Sequence, residues 1–444
     1  METIACPDCD LLQHLPEIPS GSKAQCPRCA RVVATRSVDP LDRPLALTIT
    51  ALIALIVANT APLMAISAVG RHASTTIVGG AYEMWMQGQE VTAMIVAFCA
   101  VIAPAGYLLF MLTVLLAVRR PPAPRWIGEM LRGADSLRLW SMNEVMILGI
   151  LVALIKLAEL ATVTAGVGMY AVGALVILFP AIMVSFDPDE IWGRWESART
   201  RILRAGRAER RGAAINDSWT ARPRFKPRKD GMSPIPLSAA EAGLVSCETC
   251  GLLSRTARLE EPGSCRRCSA DLEWRRHRSI EYTWALVIAA AICFIPANTL
   301  PVLSTTTLGS SESDTIMGGV VFLYTSGSWP LALIVLIASV MVPLGKLVAL
   351  CYLLITMQRG SVKGNQERTR LYRMVEFIGR WSMLDVFVDT FTVALVQLDP
   401  LMSVAPGPGV LFFAAVVVLT MIAAESFDPR LIWDSGANRQ GYHG

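Results

Sequence analysis

A repeat that covers almost the whole chain constrains the fold more than any other feature of the sequence. Residues 58–63 (Ala-Asn-Thr-Ala-Pro-Leu) return at 297–302 as Ala-Asn-Thr-Leu-Pro-Val. Four further landmarks follow each copy in the same order: 76–80 and 315–319, Pro104 and Pro343, 140–145 and 381–386, and 185–188 and 426–429. The offset between matching positions stays between 239 and 241 residues, so the chain is a tandem duplication.

The apolar residues indicate the class of protein. Hydrophobic residues make up 53% of the chain and charged residues only 17%, whereas soluble proteins have roughly a quarter charged residues. The apolar residues form runs of about 20 or more, the length that crosses a bilayer. The eight predicted spans are 45–69, 91–118, 145–163, 168–186, 284–304, 330–357, 386–404 and 409–427. We therefore predict an all-α polytopic membrane protein with two tandem four-helix modules, in which a polar cysteine segment and not a cleavable signal peptide comes first.

The distribution of Lys and Arg predicts the orientation. The loop at 119–144 carries five basic residues and its repeat at 358–385 carries six. The opposite loops, 70–90 and 305–329, carry one and none. Because cytoplasmic loops are enriched in Lys and Arg, both termini and the central linker are predicted to be cytoplasmic, and the two modules insert in parallel.

The predicted domain boundaries follow from these spans and from the cysteines. They are zinc ribbon 1 at 1–40, transmembrane module 1 at 41–193, a basic cytoplasmic linker at 194–243, zinc ribbon 2 at 244–278, transmembrane module 2 at 279–434 and a tail at 435–444. Arg and Lys outnumber Asp and Glu in the linker, which is predicted to lie near anionic lipid headgroups. No nucleic-acid partner is expected, since no aromatic-interleaved fold accompanies its charge.

Two Cys-x-x-Cys pairs precede the first span of each module. A two-residue spacing lets both thiolates reach one metal, and two such pairs complete a tetrahedral site. The predicted ligands of two Zn²⁺ ions are Cys6, Cys9, Cys26, Cys29, Cys247, Cys250, Cys265 and Cys268. Redox dithiols and disulfides are the alternatives, and the reducing cytoplasm argues against disulfides. A closed four-cysteine site predicts a structural or docking role.

The repeated phrase places polar residues inside apolar spans. Asn59 lies about 21 Å into the first helix, and Pro62 is expected to kink or break that helix. Asn59 and Thr60 could bond the freed backbone or a neighbouring helix, or they could line a substrate path through a discontinuous helix. The same alternatives apply to Asn298 and Thr299.

Several ionisable residues lie in or beside the predicted spans, where such groups are costly and often functional. Lys346 is predicted to lie near mid-membrane. Lys156 and Glu159 are three residues apart on one helix face, and Asp385 and Asp389 are four apart. The pairs could be structural, or they could handle protons or lipid headgroups. The candidates for a lipid path or proton coupling are Asn59, Thr60, Lys156, Glu159, Asn298, Thr299, Lys346, Asp385 and Asp389.

The motifs of several enzyme classes are missing from the sequence. There is no G-x-x-x-x-G-K-[ST] loop, no G-x-S-x-G elbow and no H-E-x-x-H. The four histidines lie in no recognisable catalytic setting. We therefore expect that the chain is not an enzyme and does not hydrolyse ATP.

Together these motifs resemble the paraquat-inducible protein A family in its two-module form, which includes inner-membrane lipid-transport members. The resemblance rests on duplicated zinc ribbons, N-T-x-P, W-S-M-x-[DE]-V and S-F-D-P. It implies a bacterial inner-membrane protein that moves phospholipid between the two membranes with a periplasmic MCE-domain tunnel protein. One departure is that Lys156 is matched by Gln397 in the second copy, which suggests that the modules have diverged.

The resulting prediction is a non-enzymatic lipid-handling transporter subunit. The alternatives are a redox or stress-response membrane protein, a structural membrane anchor for a partner, and an efflux transporter for small amphiphiles. Tightly held zinc would favour the ribbon interpretation, and reversible thiol oxidation would favour the redox protein.

Overall fold

The fold is known from a computed structural model. It describes residues 2–16, 18–68, 71–88, 90–119, 124, 126–158, 162–188, 190–193, 238–255, 263–307, 310–325, 327, 329–361, 364–379, 386–388, 390, 397–398 and 402–434. Two compact units are present: one comprises Met1–Leu45, Thr113–Arg132 and Val184–Trp274, the other Ala46–Leu112, Gly133–Met183 and Arg275–Gly444. The first holds both groups of four cysteines, and the second holds most of the apolar helices of both copies.

The first copy begins with two antiparallel hairpins, β1 (Glu2–Ala5) with β2 (Leu12–Leu15) and β3 (Lys23–Gln25) with β4 (Val32–Thr35). Its helices are α1 (Asp42–Thr60), α2 (Ile77–Met86), α3 (Glu90–Ala97), α4 (Ala103–Val118), α5 (Ile127–Trp140), α6 (Asn143–Ala158) and α7 (Val167–Ser185). A π-helical segment, Phe98–Ile102, joins α3 to α4. Strands β5 (Met64–Ala68), β6 (Arg71–Thr75) and β7 (Thr162–Ala165) form an antiparallel sheet in the order β6–β5–β7.

The second copy repeats this order. Its cysteine region has the hairpins β8 (Leu244–Ser246) with β9 (Leu253–Arg255) and β10 (Gly263–Ser264) with β11 (Asp271–Leu272). Its helices are α8 (Ser279–Thr299), α9 (Ile316–Thr325), α10 (Trp329–Leu336), α11 (Val342–Gln358), α12 (Asn365–Gly379) and α13 (Gly409–Ser426), with a π-helical Ile337–Met341 between α10 and α11. Strands β12 (Leu303–Thr307), β13 (Ser310–Asp314), β14 (Gln397–Leu398) and β15 (Met402–Pro406) pair in the order β13–β12–β15–β14.

Six helices in the described residues are long and apolar enough to cross a membrane: Asp42–Thr60, Glu90–Val118, Val167–Ser185, Ser279–Thr299, Ala332–Gln358 and Gly409–Ser426. The chain is therefore a multi-pass membrane protein. Helix α6, at the third predicted span, is 16 residues long. Most of the seventh predicted span lies outside the described residues, so four spans per module and the domain boundaries remain predictions.

The fold is mostly helical and not all-α, which corrects our expectation. Residues 70–90 and 305–329 were predicted as loops, but each contains a strand followed by a short helix. The first and fifth predicted spans end early, at Thr60 and Thr299, because a proline two residues later cannot continue the helix. The apolar residues that follow form strands, whose ladders satisfy the backbone groups that the helix no longer pairs.

A Gly-x-Gly motif joins the end of the first span to the start of the fourth. In the first copy, Gly166 N donates to Leu63 O at 2.8 Å and Gly168 N donates to Pro62 O at 3.0 Å. A Cβ atom on Gly166 would lie 2.1 Å from Pro62 O, so the position requires glycine. The second copy has the same contacts, from Gly407 N to Val302 O at 2.7 Å and from Gly409 N to Pro301 O at 2.9 Å.

The aspartate of each Ser-Phe-Asp-Pro motif ties the chain that enters a module to the end of its last helix. Asp187 Oδ2 accepts from Ser37 N at 3.4 Å, and Asp428 Oδ2 accepts from Arg276 N at 3.2 Å. Asp428 also pairs with Arg430, and both residues are buried. Each last helix ends at the serine of the motif, and in the second copy the motif also carries a buried ion pair.

Candidate functional site

The structure brings the eight predicted metal ligands into two groups of four. Within each group, all sulfur atoms lie within 4.8 Å of one another and every cysteine is buried. Sγ–Sγ distances are 3.5 Å for Cys6–Cys29, 3.5 Å for Cys9–Cys26, 3.4 Å for Cys247–Cys268 and 3.5 Å for Cys250–Cys265. A tetrahedral ion with Zn–S bonds of about 2.3 Å needs sulfur atoms about 3.8 Å apart, so both groups could hold a metal such as zinc.

The four Cys-x-x-Cys pairs share one backbone conformation. In each, the amide of the first cysteine donates to the carbonyl five residues later, and the residue after the second cysteine donates back to the first cysteine. That residue has positive φ in all four pairs: 58° at Asp10, 58° at Ala30, 67° at Gly251 and 59° at Ser269. The tight turn directs both thiols of a pair to the same point, so each site is built into its backbone.

Contacts within the first unit stabilise each cysteine region and connect the two regions. Arg28 donates to Cys9 O at 3.4 Å, and the matching Arg267 donates to Cys250 O at 3.2 Å. Between the regions, the backbone amide of Ala239 donates to Asp10 O at 2.8 Å. Ala5, Ala239 and Leu244 form a small buried apolar cluster. These contacts fit a structural role for both four-cysteine groups.

The thiols within a group affect one another strongly. The hydrogen bond between Cys6 and Cys29 lowers the pKa of Cys29 to about 2 and raises the pKa of Cys6 to about 12. In the second group, the hydrogen bond with Cys247 lowers the pKa of Cys265. Four sulfur atoms this close cannot all be thiolates without a cation, and a divalent metal would supply the charge that stabilises them.

The Asn-Thr pairs lie at the ends of α1 and α8, where their side chains bond their own helices. Asn59 Nδ2 donates to Leu55 O at 2.8 Å, and Thr60 Oγ1 donates to Ile56 O at 2.8 Å. In the second copy, Asn298 Nδ2 donates to Phe294 O at 2.9 Å and Thr299 Oγ1 donates to Ile295 O at 3.1 Å. These bonds favour the structural alternative, because each helix ends here and does not resume as a discontinuous helix.

Lys346 is buried in the second copy, with 2% of its surface exposed. It lies on α11, and Nζ donates to Thr420 Oγ1 of α13 at 2.8 Å. A longer hydrogen bond, 3.4 Å, reaches the carbonyl of Gly379 at the end of α12. Lys346 thus links three helices through a polar group among apolar side chains.

The matching positions in the first copy are apolar or aromatic. The repeat offsets place Tyr107 opposite Lys346 and Phe179 opposite Thr420. The two rings pack with centroids 5.3 Å apart. Sequence comparison missed this difference, although aligning the two copies column by column would have found it. The modules differ in chemistry at the same place in the fold.

The other predicted intramembrane residues are not brought together by the described structure. Lys156 lies on α6, where only the backbone is described. Glu159, Asp385 and Asp389 lie outside the described residues, so their pairing stays a prediction. Sequence analysis also missed Thr420, which becomes the partner of Lys346 only through tertiary packing, and Arg430, which pairs with Asp428 two residues earlier.

The chain is duplicated, and each copy has a four-cysteine group ahead of its candidate membrane helices. These features define a class of multi-pass membrane proteins with two four-cysteine groups that could bind metal. The model of the family described as paraquat-inducible protein A matches residues 41–196 and 280–436. The chain belongs to this family.

Several relatives match the chain over nearly its whole length. It is 34% identical over 433 residues to the Escherichia coli (strain K12) intermembrane transport protein PqiA, covering 97% of this chain and 95% of that protein. It is 31% identical to the E. coli lipophilic envelope-spanning tunnel protein A, covering 97% and 91%. A probable intermembrane transport protein of Haemophilus influenzae is 26% identical, covering 97% and 95%. No solved structure gives a significant match.

Proposed function

We propose that this chain is an inner-membrane component of an intermembrane phospholipid transport system. It would pass lipid to, or receive it from, a periplasmic MCE-domain tunnel protein, with both termini in the cytoplasm. The observation that carries the proposal is the match over nearly the full length to proteins named as intermembrane transport proteins. The apolar spans supply the membrane setting that such transport requires.

Each four-cysteine group is proposed to hold one Zn²⁺. The support is the spacing of the sulfur atoms and the four identical turns that present them. A site closed by four cysteines offers no open position to a substrate. Zinc would therefore stabilise the fold of the ribbons and take no part in moving lipid.

The second module is proposed to provide the buried polar group that takes part in transport. It has Lys346 and Thr420 where the first module has a packed aromatic pair. A buried cation among spanning helices favours interaction with a proton or a lipid phosphate. We therefore propose that Lys346 couples proton or headgroup movement to transport, with Asp389 as a second candidate by its sequence position.

Photo-crosslinking tests the proposed function. A photoreactive amino acid would replace Asn59, Asn298 or Val388, which are half-buried or buried, one at a time, in cells labelled with radioactive phosphate. The matched controls are outward-facing positions on the same helices, such as Ile56 for Asn59 and Ile295 for Asn298; both are more than half exposed. We expect phospholipid at interior positions of the second module above the level of these controls. Equal labelling at all positions would mean bulk bilayer contact and would favour the membrane-anchor alternative.

A further inference from the structure

The second copy contains a short helical hairpin whose surface is apolar on the outside. It consists of α9 and α10, which pack against each other across a turn at Gly327. Gly327 has a φ of 86°, and Gly88 at the matching turn of the first copy has 81°. The large apolar side chains exposed on the hairpin include Met317, Val321, Phe322, Tyr324, Trp329 and Leu333. Ile316 and Leu323 of α9 are buried.

The hairpin extends beyond the ends of the neighbouring spans. Helix α8 has 21 residues, about 32 Å, which matches a hydrocarbon layer of about 30 Å. The continuous helix from Trp329 to Gln358 is about 45 Å long. At one end the helices are level, because Met357, Phe427 and Ile280 share one apolar cluster. The extra length, about 13 Å, therefore projects at the other end, past the point where α8 ends.

The projecting surface is continuous with the face of the same helix that meets the membrane. Along that helix, exposure continues from Trp329 and Leu333 to Ile337, Met341 and Val348. From Thr315 to Gly345 the sequence contains no charged residue. A surface of this kind is disfavoured in water and is suited to hydrocarbon.

The matching hairpin of the first copy, α2 and α3, differs in charge. Glu83 stands at the position of Phe322, and Glu90 at the position of Trp329. Glu90 is exposed. Both hairpins have the same turn and the same helix lengths, and both expose apolar side chains, but only the first carries carboxylates on its helices. Only the hairpin of the second copy offers an uncharged route.

We propose that the α9–α10 hairpin guides phospholipid acyl chains out of the periplasmic leaflet of the inner membrane. The chains would move along an uncharged surface that continues the lipid-facing side of the second module. Acyl chains are the occupant because they match the uncharged, aromatic-rich surface and because this surface begins inside the bilayer. The inference rests on the proposed function and adds where lipid leaves the membrane. It assigns no role to the first-copy hairpin in lipid contact.

The test compares photo-crosslinking at Tyr324 with its matched position Trp85 in the full chain, in cells labelled with radioactive phosphate. Phospholipid attached at Tyr324 and not at Trp85 is the expected result. Phe322→Glu should lower lipid labelling at Tyr324 about tenfold. A carboxylate in contact with hydrocarbon costs at least about 1.4 kcal/mol, which corresponds to a tenfold lower occupancy by lipid. The reciprocal change, Glu83→Phe, should raise labelling at Trp85.

The other outcomes overturn the inference. A protein attached at Tyr324 would make the hairpin a protein-docking surface. Equal lipid labelling at Tyr324 and Trp85 would leave no role for the charge difference between the two hairpins. Lipid at Val388 but none at Tyr324 would refute this inference alone. Loss of lipid at both positions would refute the proposed function as well. The comparison of Tyr324 with Trp85 needs no substitution in the core, so it remains a valid test even if Phe322→Glu lowers the amount of protein.

Discussion

Replacement of Lys346 separates a functional lysine from a structural one. The Lys346→Met variant keeps the length and volume of the side chain and removes the ammonium group. We expect it to fold normally and to lose transport. The test measures the midpoint of thermal unfolding in detergent and, in parallel, phospholipid crosslinking at the buried Val388 in cells.

The expected stability follows from two opposing contributions. The hydrogen bond to Thr420 at 2.8 Å is lost, and hydrogen bonds to a charged group contribute about 1.5–3 kcal/mol. Burying the ammonium group costs several kcal/mol, and that cost disappears in the variant. Thr420 Oγ1 keeps its hydrogen bond to Val417 O at 3.0 Å, so no hydroxyl is left unpaired. The free energy of unfolding should therefore change by no more than about 2 kcal/mol.

A matched variant strengthens the test. The double substitution Lys346→Tyr with Thr420→Phe installs the aromatic pair that the first copy packs at the same place. It should also fold and lose transport. If Lys346→Met unfolds at a much lower temperature, the lysine is structural and the reasoning is wrong. If it folds and still transports lipid, Lys346 has no part in coupling.

Three further predictions concern the scaffold. Gly407→Ala should destabilise the protein by at least about 3 kcal/mol in thermal unfolding, because its Cβ would lie 2.2 Å from a backbone oxygen, whereas Gly319→Ala, with nothing within 4 Å, should change little. Burial alone would raise the pKa of Asp428, but its ion pair with Arg430 holds that pKa below its usual value. Stability from this pair should therefore be full above the unfolded pKa of about 4 and should fall as pH drops through the lower folded pKa. Asp428→Asn should cost about 3–5 kcal/mol at neutral pH by leaving a buried guanidinium without its carboxylate, and an unchanged melting midpoint would contradict this. Cys29→Ser should lower bound zinc from about two ions per chain to about one, measured by metal analysis of the purified protein.

The sequence predicted best what depends on local spacing. A two-residue gap between cysteines is enough to place two thiols on one turn, and the structure has that turn four times. The long apolar runs at 91–118, 168–186 and 409–427 became helices close to the predicted bounds. Because of the internal repeat, the prediction made for each motif could be compared with a second copy of that motif.

The features that the sequence did not reveal depend on residues far apart in the chain. Lys346 was predicted as an intramembrane group, but its partner Thr420 lies 74 residues away on another helix. Residues 64–68 are apolar and follow a spanning helix, so they resembled its continuation. They form a strand because Pro62 ends the helix and because β6 and β7 offer backbone partners on both sides. Strand formation here is a tertiary effect that local apolarity cannot show.

The duplication also separates scaffold from function. The cysteine turns, the Gly-x-Gly junction and the aspartate of Ser-Phe-Asp-Pro occur in both copies with the same contacts, so they serve the fold. Lys346 and the uncharged hairpin occur only in the second copy. Lys156 occurs only in the first, where Gln397 is its counterpart. By this logic Lys156 is the residue that tests whether the first module shares the lipid path.

The substitution Lys156→Gln installs the residue of the second copy. If the second module carries the path, this variant should retain phospholipid crosslinking at Val388, whereas Lys346→Met should lose it. Both variants would be compared at equal amounts in the membrane, with the unmodified chain as control. Loss of crosslinking in Lys156→Gln but not in Lys346→Met would place the path in the first module. Transport would then depend on the lysine that only the first copy has, and not on the lysine that only the second copy has.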